Sequence, residues 1–503
     1  MKYLMGLDIG TSKLKTVLFT LEGEEILIKS LDLQEYVVGN QSEQDMMQIW
    51  EKTYECIKSV IDSGYDPNDI LALGLSAQGE GCWLVDADGN PVQRSMRWND
   101  GRSVVEVEKV LADSELEHFF HKTTGCQPLT PATILQLKWM KENRPEIIKR
   151  SATLFCCKDW IRFKLTGERK IEITDAIASM VDCQTKTFSA ELFERLGLQE
   201  EMRLLPELID SCVIAGYITE DASKKTGLKA GMPVSGGMVD IGACVLGTGA
   251  VNDGDICSIV GTACINISIH KEEECQWGRG NSRYTLHSKP GLCLDIMAAM
   301  SGTLNIDWVM ASLYGSFDYD ALESDIEDIP AGSNGVMYHP YILPVGERAP
   351  FYQPNATASF FGIGIGNTQY DMAHAVFEGI AFSIKDCLET NKKPGMIRIA
   401  GGGAKSKLWL QTIANCTGRE VIVSKCTELG AKGAAITAGV AVGIFKDLDD
   451  AVGKFCSFET TYVPQDYEVK AYNELFKLYK ACRVSYNDLW NMRADILSKL
   501  NKH

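Results

Sequence analysis

The chain has 503 residues, 45% hydrophobic and 23% charged, with a formal net charge of −17. That length and composition support sizeable cores and two to four domains. The acidic balance argues against a general nucleic-acid binder, which carries a basic footprint. No apolar run reaches the roughly 18 residues of a membrane span.

Met1-Lys2-Tyr3 leads straight into an apolar run, so no secretory signal is expected. Residues 4–18 read as strand, tight turn, strand. Gly10 permits close backbone approach, and successive main-chain N–H groups in such a turn form an anion nest. Thr11, Ser12, Lys13 and Lys15 add hydroxyls and positive charge. One reading is a phosphate cradle, with Asp8 set to hold magnesium through water. The other is a hairpin with a polar turn.

Residues 13–31 continue as β-runs that turn at Gly23. Over 42–63 the period changes. Met46, Met47, Ile49, Trp50, Tyr54, Ile57, Val60 and Ile61 recur at helical spacing, with Ser42 or Asp45 to cap the start and Gly64 to end it. A buried strand is predicted at 70–76. Ligand sites in open α/β sheets gather at the carboxyl ends of strands. Gln78 and Glu80, separated by Gly79, are therefore candidates for binding a polar substrate. Residues 82–92 suggest a hairpin. Arg97-Trp98-Asn99-Asp100-Gly101-Arg102 is either a loop held by ion pairs or a sugar-facing wall. In the second case Trp98 offers an apolar face, and Asn99 or Asp100 accepts hydroxyls.

Residues 131–167 read as mostly helical. The seventeen cysteines include the adjacent Cys156 and Cys157 but show no zinc-type spacing. An odd number scattered through apolar segments leads to the expectation of reduced, buried thiols in a cytoplasmic protein. At 234–243 an apolar entry and Gly236-Gly237 precede Asp240, which is either a general base or a cap for the next helix. Residues 255–268 repeat the opening pattern around Gly261-Thr262, and two such hairpins facing each other would clamp a polyphosphate.

A helix is expected over 293–313 with Gly302 inside it. A helical Gly costs about 1 kcal/mol relative to Ala and so implies a packing or binding reason. Another helix is expected at 371–388. Residues 397–406 read as strand, triple glycine and the approach to a helix, where glycines admit a nucleotide. The spacing is not the dinucleotide fingerprint, and Glu420 lies at the wrong end of the next strand for a ribose contact. Residues 428–443 form a small-residue helix, and a charged amphipathic helix begins at Tyr467.

These landmarks, in this order, resemble the FGGY carbohydrate kinases of the actin/hexokinase/Hsp70 ATPase superfamily. They are Asp8-Ile9-Gly10-Thr11-Ser12, the helix from Lys158 to Gly167 with Thr174-Asp175 after it, Asp240, Gly261-Thr262, Gly346-Glu347-Arg348-Ala349-Pro350, Phe377-Glu378-Gly379 and the segment from Ala400 to Ser406. The resemblance implies an α/β fold of two ribonuclease-H-like (actin-like ATPase) domains flanking a deep cleft. Residues 1–247 would be the sugar side with the first phosphate hairpin, and 248–450 the ATP side. Residues 451–503 would be a helical extension packed on the second domain.

It also implies in-line transfer of the γ-phosphoryl group of ATP, with Mg2+, to a hydroxyl of a small sugar or polyol. Asp240 would be the base and, with Asp8 acting through water, would attend the metal. Gly10, Thr11, Ser12, Lys13, Lys15, Gly261 and Thr262 would hold phosphates. Gly302, Gly402, Gly403, Ala404 and Ser406 would line the adenosine pocket. Gln78, Gly79, Glu80, Trp98 and Asn99 would face the sugar with Asp240.

Glycerol kinases carry Arg where this chain has Gly79, and Gln where it has Ile241. Xylulokinases carry a Met-His pair in the same region. Gln78-Gly79-Glu80-Gly81 looks more like the erythritol kinase and polyol or ketose kinase branches, which implies a larger uncharged substrate of four or five carbons. No nucleic-acid or membrane partner is expected, and the family's habit adds the expectation of a homodimer. The alternatives are a non-catalytic sugar sensor and a chaperone-like ATPase. Asp240 together with both hairpins weighs against the sensor. The lack of a peptide-binding domain weighs against the chaperone.

Overall fold

The apolar residues of the opening segment form the strands Tyr3–Ile9 and Lys13–Thr20, paired antiparallel with Asp8 opposite Lys15. Glu25–Asp32 joins by a turn at Gly23, whose φ is 83°. The strand Ile70–Ala77 lies parallel to the first and sets Ser76 opposite Asp8. Pro233–Ser235 and Ile214–Tyr217 extend the sheet beyond it, and Met238–Val239 also pairs with Ile70–Ala77. The carboxyl ends of Tyr3–Ile9, Ile70–Ala77 and Met238–Val239 therefore deliver Asp8, Gln78 and Asp240 to one edge of one sheet.

The helix Met46–Ile61 covers one face with Ile49, Trp50, Ile57 and Val60. Asp45, rather than Ser42, is its cap, accepting from the N–H groups of Met47 and Gln48. The small-residue helix Leu429–Ala441 packs on the same sheet at backbone distance. A Cβ on Gly6 would lie 1.9 Å from the Ala431 carbonyl, and one on Gly74 would lie 1.8 Å from that of Ala434. The helix Asp240–Gly247 is equally close: a Cβ on Gly433 would lie 1.9 Å from the Ala243 carbonyl. Only glycine fits such contacts.

The computed structural model describes residues 1–275, 277, 283–393 and 395–500. They form two units. The first is Met1–Val251 with His270–Leu294 and Cys426–Ser457; the second is Asn252–Ile269 with Asp295–Lys425 and Phe458–His503. Residues 426–457 thus belong with unit 1, across the boundary drawn from the sequence near residue 248, because Leu429–Ala441 has its packing partners there. The helix Asp466–Leu500 belongs to unit 2.

In unit 2 the strand Ile256–Val260 turns into Cys264–Lys271 and lies parallel to Ile397–Ala400, which pairs with Val421–Ser424. The long helix Gln369–Cys387 carries a capping box at Thr368 and Asp371. Its Phe377 lies in the core with Trp409 and Ile413.

Two expectations are corrected. Gly302 is not inside a helix. Leu292–Ala299 is a strand, and the next helix begins at Leu304. The apolar run pairs as a strand, and Gly302 sits where a Cβ would meet the Gly261 carbonyl oxygen at 2.3 Å. The thiols are not all reduced: Cys275 and Cys293 are joined as a disulfide, while the other cysteines are not disulfide-bonded. In addition, Trp83–Val85 pairs mainly with Thr153–Phe155, a short strand within the stretch read as helical.

Candidate functional site

In unit 1 the first hairpin turn is built from within. Gly10 donates its N–H to the Lys13 carbonyl. The Gln44 amide donates to the Thr11 carbonyl at 2.9 Å, and the Trp98 indole donates to Thr11 Oγ1 at 3.1 Å. The Gln78 amide donates to Gln44 Oε1 at 2.6 Å, while its own Oε1 accepts from the Thr11 hydroxyl at 3.5 Å. Gln78 thus braces the turn. Trp98 is 42% exposed and Asn99 is also exposed beside it. Ser12 and Lys13 face outward. Lys15 is paired with Glu428 at 2.6 Å.

Of the polar group at 97–102, the ion-paired reading holds for three members. Arg97 meets Glu35 at 2.7 Å, and the Asp100 carboxylate accepts from Arg102 and from the Ser42 N–H. Asp100 is fully buried and offers nothing to a ligand.

Asp8 is half-buried, and its Oδ1, which is shielded from solvent, has no hydrogen-bond partner among the described residues. A Cβ on Gly430 would fall 2.6 Å from its Oδ2, so only glycine at 430 leaves the carboxylate its space. Burial pushes its pKa up to about 6, with Ser76 and Lys15 drawing it partly back. Asp240 opens its helix half-buried, with Val239 as the capping residue, and its Oδ1 accepts from the Ile241 N–H at 2.7 Å. Burial first, then the charge of Asp8, raises its pKa to about 7. Two carboxyls whose charged forms are disfavoured by burial, and in Asp240 by the neighbouring Asp8 as well, are a fit for a divalent cation.

Glu80 follows Gly79 with a φ of 58°. A Cβ on Gly79 would meet Val239 Cγ2 at 2.6 Å. Asp175 Oδ1 accepts from the Glu80 N–H at 2.7 Å, which fixes this unusual turn. Burial lifts Asp175 to about 6. Behind it the fully buried Lys158 ammonium lies 3.3 to 3.4 Å from Asp159, Glu172 and Asp175. Burial alone would lower the lysine's pKa, but the three carboxylates outweigh it and hold it above the ordinary value.

Arg283 was not singled out from the sequence, yet its Nη2 lies 2.9 Å from Glu80 Oε1. No local signal marks it, since it is one arginine opening a short strand. Lys158, Asp159 and Asp175 appeared only as family landmarks, without a role.

In unit 2 the second hairpin turn is one residue shorter than the first. Gly261 donates its N–H to the Ala263 carbonyl, and its own carbonyl accepts from Thr303. Thr262 is exposed. Gly302 packs directly on this turn, a Cβ there falling 2.5 Å from the Thr262 carbonyl oxygen. It is held by Asn305, which donates to the Gly302 carbonyl and accepts from the Tyr338 hydroxyl. Glu347 accepts from the Met300 N–H and the Ser301 hydroxyl just before it. Gly401, at φ 89°, packs on Val260, whereas a Cβ on Gly402 would meet nothing within 4 Å. Gly403 is buried against Trp409. Ala404 donates to the Gly401 carbonyl, and Ser406 Oγ accepts from Trp409 N to cap the helix Lys407–Thr417.

The chain covers 98% of an erythritol kinase from Brucella abortus at 29% identity, with 98% of this chain aligned. It is also 29% identical to a xylulose kinase from Staphylococcus xylosus, over 95% of this chain and 99% of the other. Among solved structures, a xylulose kinase from Lactobacillus acidophilus superposes with a TM-score of 0.87 over 97% of this chain and 98% of that chain, at 24% identity. This is the actin-like ATPase fold. The N-terminal domain of the FGGY family of carbohydrate kinases matches residues 3–247, and the C-terminal domain matches 259–442. The chain therefore belongs to the FGGY carbohydrate kinases, ATP-dependent enzymes that phosphorylate a small sugar or polyol.

Proposed function

We propose that this kinase phosphorylates an uncharged polyol or ketopentose of four or five carbons, such as erythritol or xylulose, with Asp240 as general base. The observation that carries the reading is the placement of Asp240. It opens a helix at the carboxyl edge of the sheet, beside Asp8, with its pKa raised to about 7. A base of that strength accepts a hydroxyl proton at neutral pH as the phosphoryl group arrives. The names of the relatives support the substrate class.

Asp8 and Asp240 are the residues that would hold Mg2+, the unpartnered Asp8 Oδ1 being available to a metal-bound water. When bound, the ion neutralises charge on the β- and γ-phosphates. The N–H groups and hydroxyls of Gly10, Thr11 and Ser12, with Lys13, are proposed for phosphate contacts. Lys15 screens Asp8 while tied to Glu428. Gly261 and Thr262 are proposed for phosphate contacts in unit 2. Gly302, Gly402, Gly403, Ala404 and Ser406 are proposed for adenosine. Glu80, Trp98 and Asn99 are proposed for the acceptor, with Gln78 holding the turn behind them.

A cytoplasmic location belongs to the same reading, since every cysteine but Cys275 and Cys293 is outside a disulfide and ATP is the phosphoryl donor. A homodimer belongs to it as well. Exposed Leu489, Met492, Ile496 and Leu500 share one face of the terminal helix, and sedimentation equilibrium checks this. The direct test of the base is Asp240→Asn. Its kcat is expected to fall about 100- to 10,000-fold with ATP binding retained by calorimetry. Near-full activity in that variant removes Asp240 from the role.

A further inference from the structure

We propose that Arg283 is a substrate-binding residue, and that it forms with Glu80 a donor–acceptor pair gripping two neighbouring hydroxyls of the acceptor. This rests on the acceptor class proposed above and adds the residue that selects within it. The segment after the strand Ile70–Ala77 has little else to offer. The Gln78 side chain is bound to Gln44 and Thr11. Gly79 has no side chain and no room for one. Glu80 is left, with its N–H bonded to Asp175 and its Oε1 meeting Arg283 Nη2 at 2.9 Å.

Arg283 is delivered by a strand pinned on two sides. Tyr284 donates its N–H to the Gly125 carbonyl, and the Cys126 thiol donates to the Tyr284 carbonyl at 3.4 Å. On the other side the Thr285 hydroxyl donates to the Thr174 carbonyl at 3.0 Å, next to Asp175. Arg283 therefore stands beside Glu80.

A guanidinium has five N–H donors in one plane, and a carboxylate has two acceptor oxygens. One bond between them leaves donors and an acceptor side by side. Adjacent hydroxyls, each able to donate and accept, satisfy that arrangement. A carboxylate on the acceptor does not, because the one guanidinium already faces the Glu80 carboxylate, and Lys158 is enclosed by its own three acids. The pair therefore selects neutral diols over sugar acids.

The test is steady-state kinetics of Arg283→Met and Arg283→Lys with erythritol, D-xylulose and gluconate. In Arg283→Met the KM for the neutral acceptor is expected to rise on the order of 10- to 100-fold, the loss of a charged hydrogen bond. The KM for ATP is expected to stay within about twofold. Arg283→Lys keeps the charge opposite Glu80 but presents a point donor rather than a fork, so it is expected to lose several-fold. Discrimination against an acceptor lacking one hydroxyl is expected to shrink in both variants, which a merely structural ion pair would not cause. An acceptor KM within about twofold of the parent in a folded variant overturns the inference, and Arg283→Lys decides it if Arg283→Met does not fold. Preference of the parent for gluconate also overturns it. If the parent turns over no acceptor at all, the kinase substrate reading fails first and this inference falls with it.

Discussion

Asp240 ties the local chemistry to a measurable pH dependence. Its folded-state pKa lies above the ordinary carboxylate value of 3.8, at about 7. As the base it must be ionised, so kcat/KM is expected to rise with pH and level off above about 7. A profile flat from pH 5 to 8 removes the assignment. The same shift sets a stability contrast. A raised acid pKa means that the fold favours the protonated form. That contribution is complete below the unfolded value and is lost as pH rises through about 7. Asp240→Asn cannot ionise, so its melting temperature relative to the parent is expected to climb between about pH 4 and pH 7; the reverse trend contradicts the burial argument.

Lys158 sits among three buried carboxylates. Replacing it with Met leaves them uncompensated, and urea unfolding is expected to show a loss of about 3–5 kcal/mol. A loss below about 1 kcal/mol would mean that these acids are protonated in the fold. At this scale the sequence was uneven as a guide. Asp240 stood out because paired glycines precede it. Arg283 did not, because its partner Glu80 is remote along the chain. Asp100 drew attention as a hydroxyl acceptor, but its buried bonds to Arg102 and Ser42 follow from tertiary packing that no local pattern carries.

At the scale of elements, the helix Leu429–Ala441 decides how tightly unit 1 closes. Gly433 meets the Ala243 backbone, and Gly6 and Gly74 meet the backbone of the helix. A side chain at any of the three forces the layers apart. Gly433→Val is expected to destabilise by about 1–3 kcal/mol or more, with the melting temperature falling accordingly. Gly402→Ala, where a Cβ meets nothing within 4 Å, is expected to fold as the parent does and to alter only ATP affinity.

Small residues at close spacing in 428–443 announced the close packing but not its partner. Gly302 shows the opposite case. A glycine among apolar residues was compatible with a helix, yet the segment before it pairs as the strand Leu292–Ala299, and Gly302 serves a turn against Gly261 and Thr262. Short apolar runs do not separate strand from buried helix by period alone.

At the scale of the whole chain, the ordered series of landmarks was enough to name the family. The matches over 3–247 and 259–442 bear that out. The grouping of residues 426–457 with unit 1 was not legible, because contacts between distant segments leave no periodic trace. The substrate was legible only as a tendency, through Gly79 and Glu80. It is also where the account is most exposed. The most direct measurement is ADP release by the purified protein with ATP, Mg2+ and a panel of erythritol, D-xylulose, other ketopentoses, glycerol and gluconate. The account predicts turnover with a neutral four- or five-carbon acceptor at a kcat/KM at least about tenfold above that for glycerol, with none for gluconate. ADP release that no acceptor in the panel stimulates, or that glycerol or gluconate stimulates best, would contradict it.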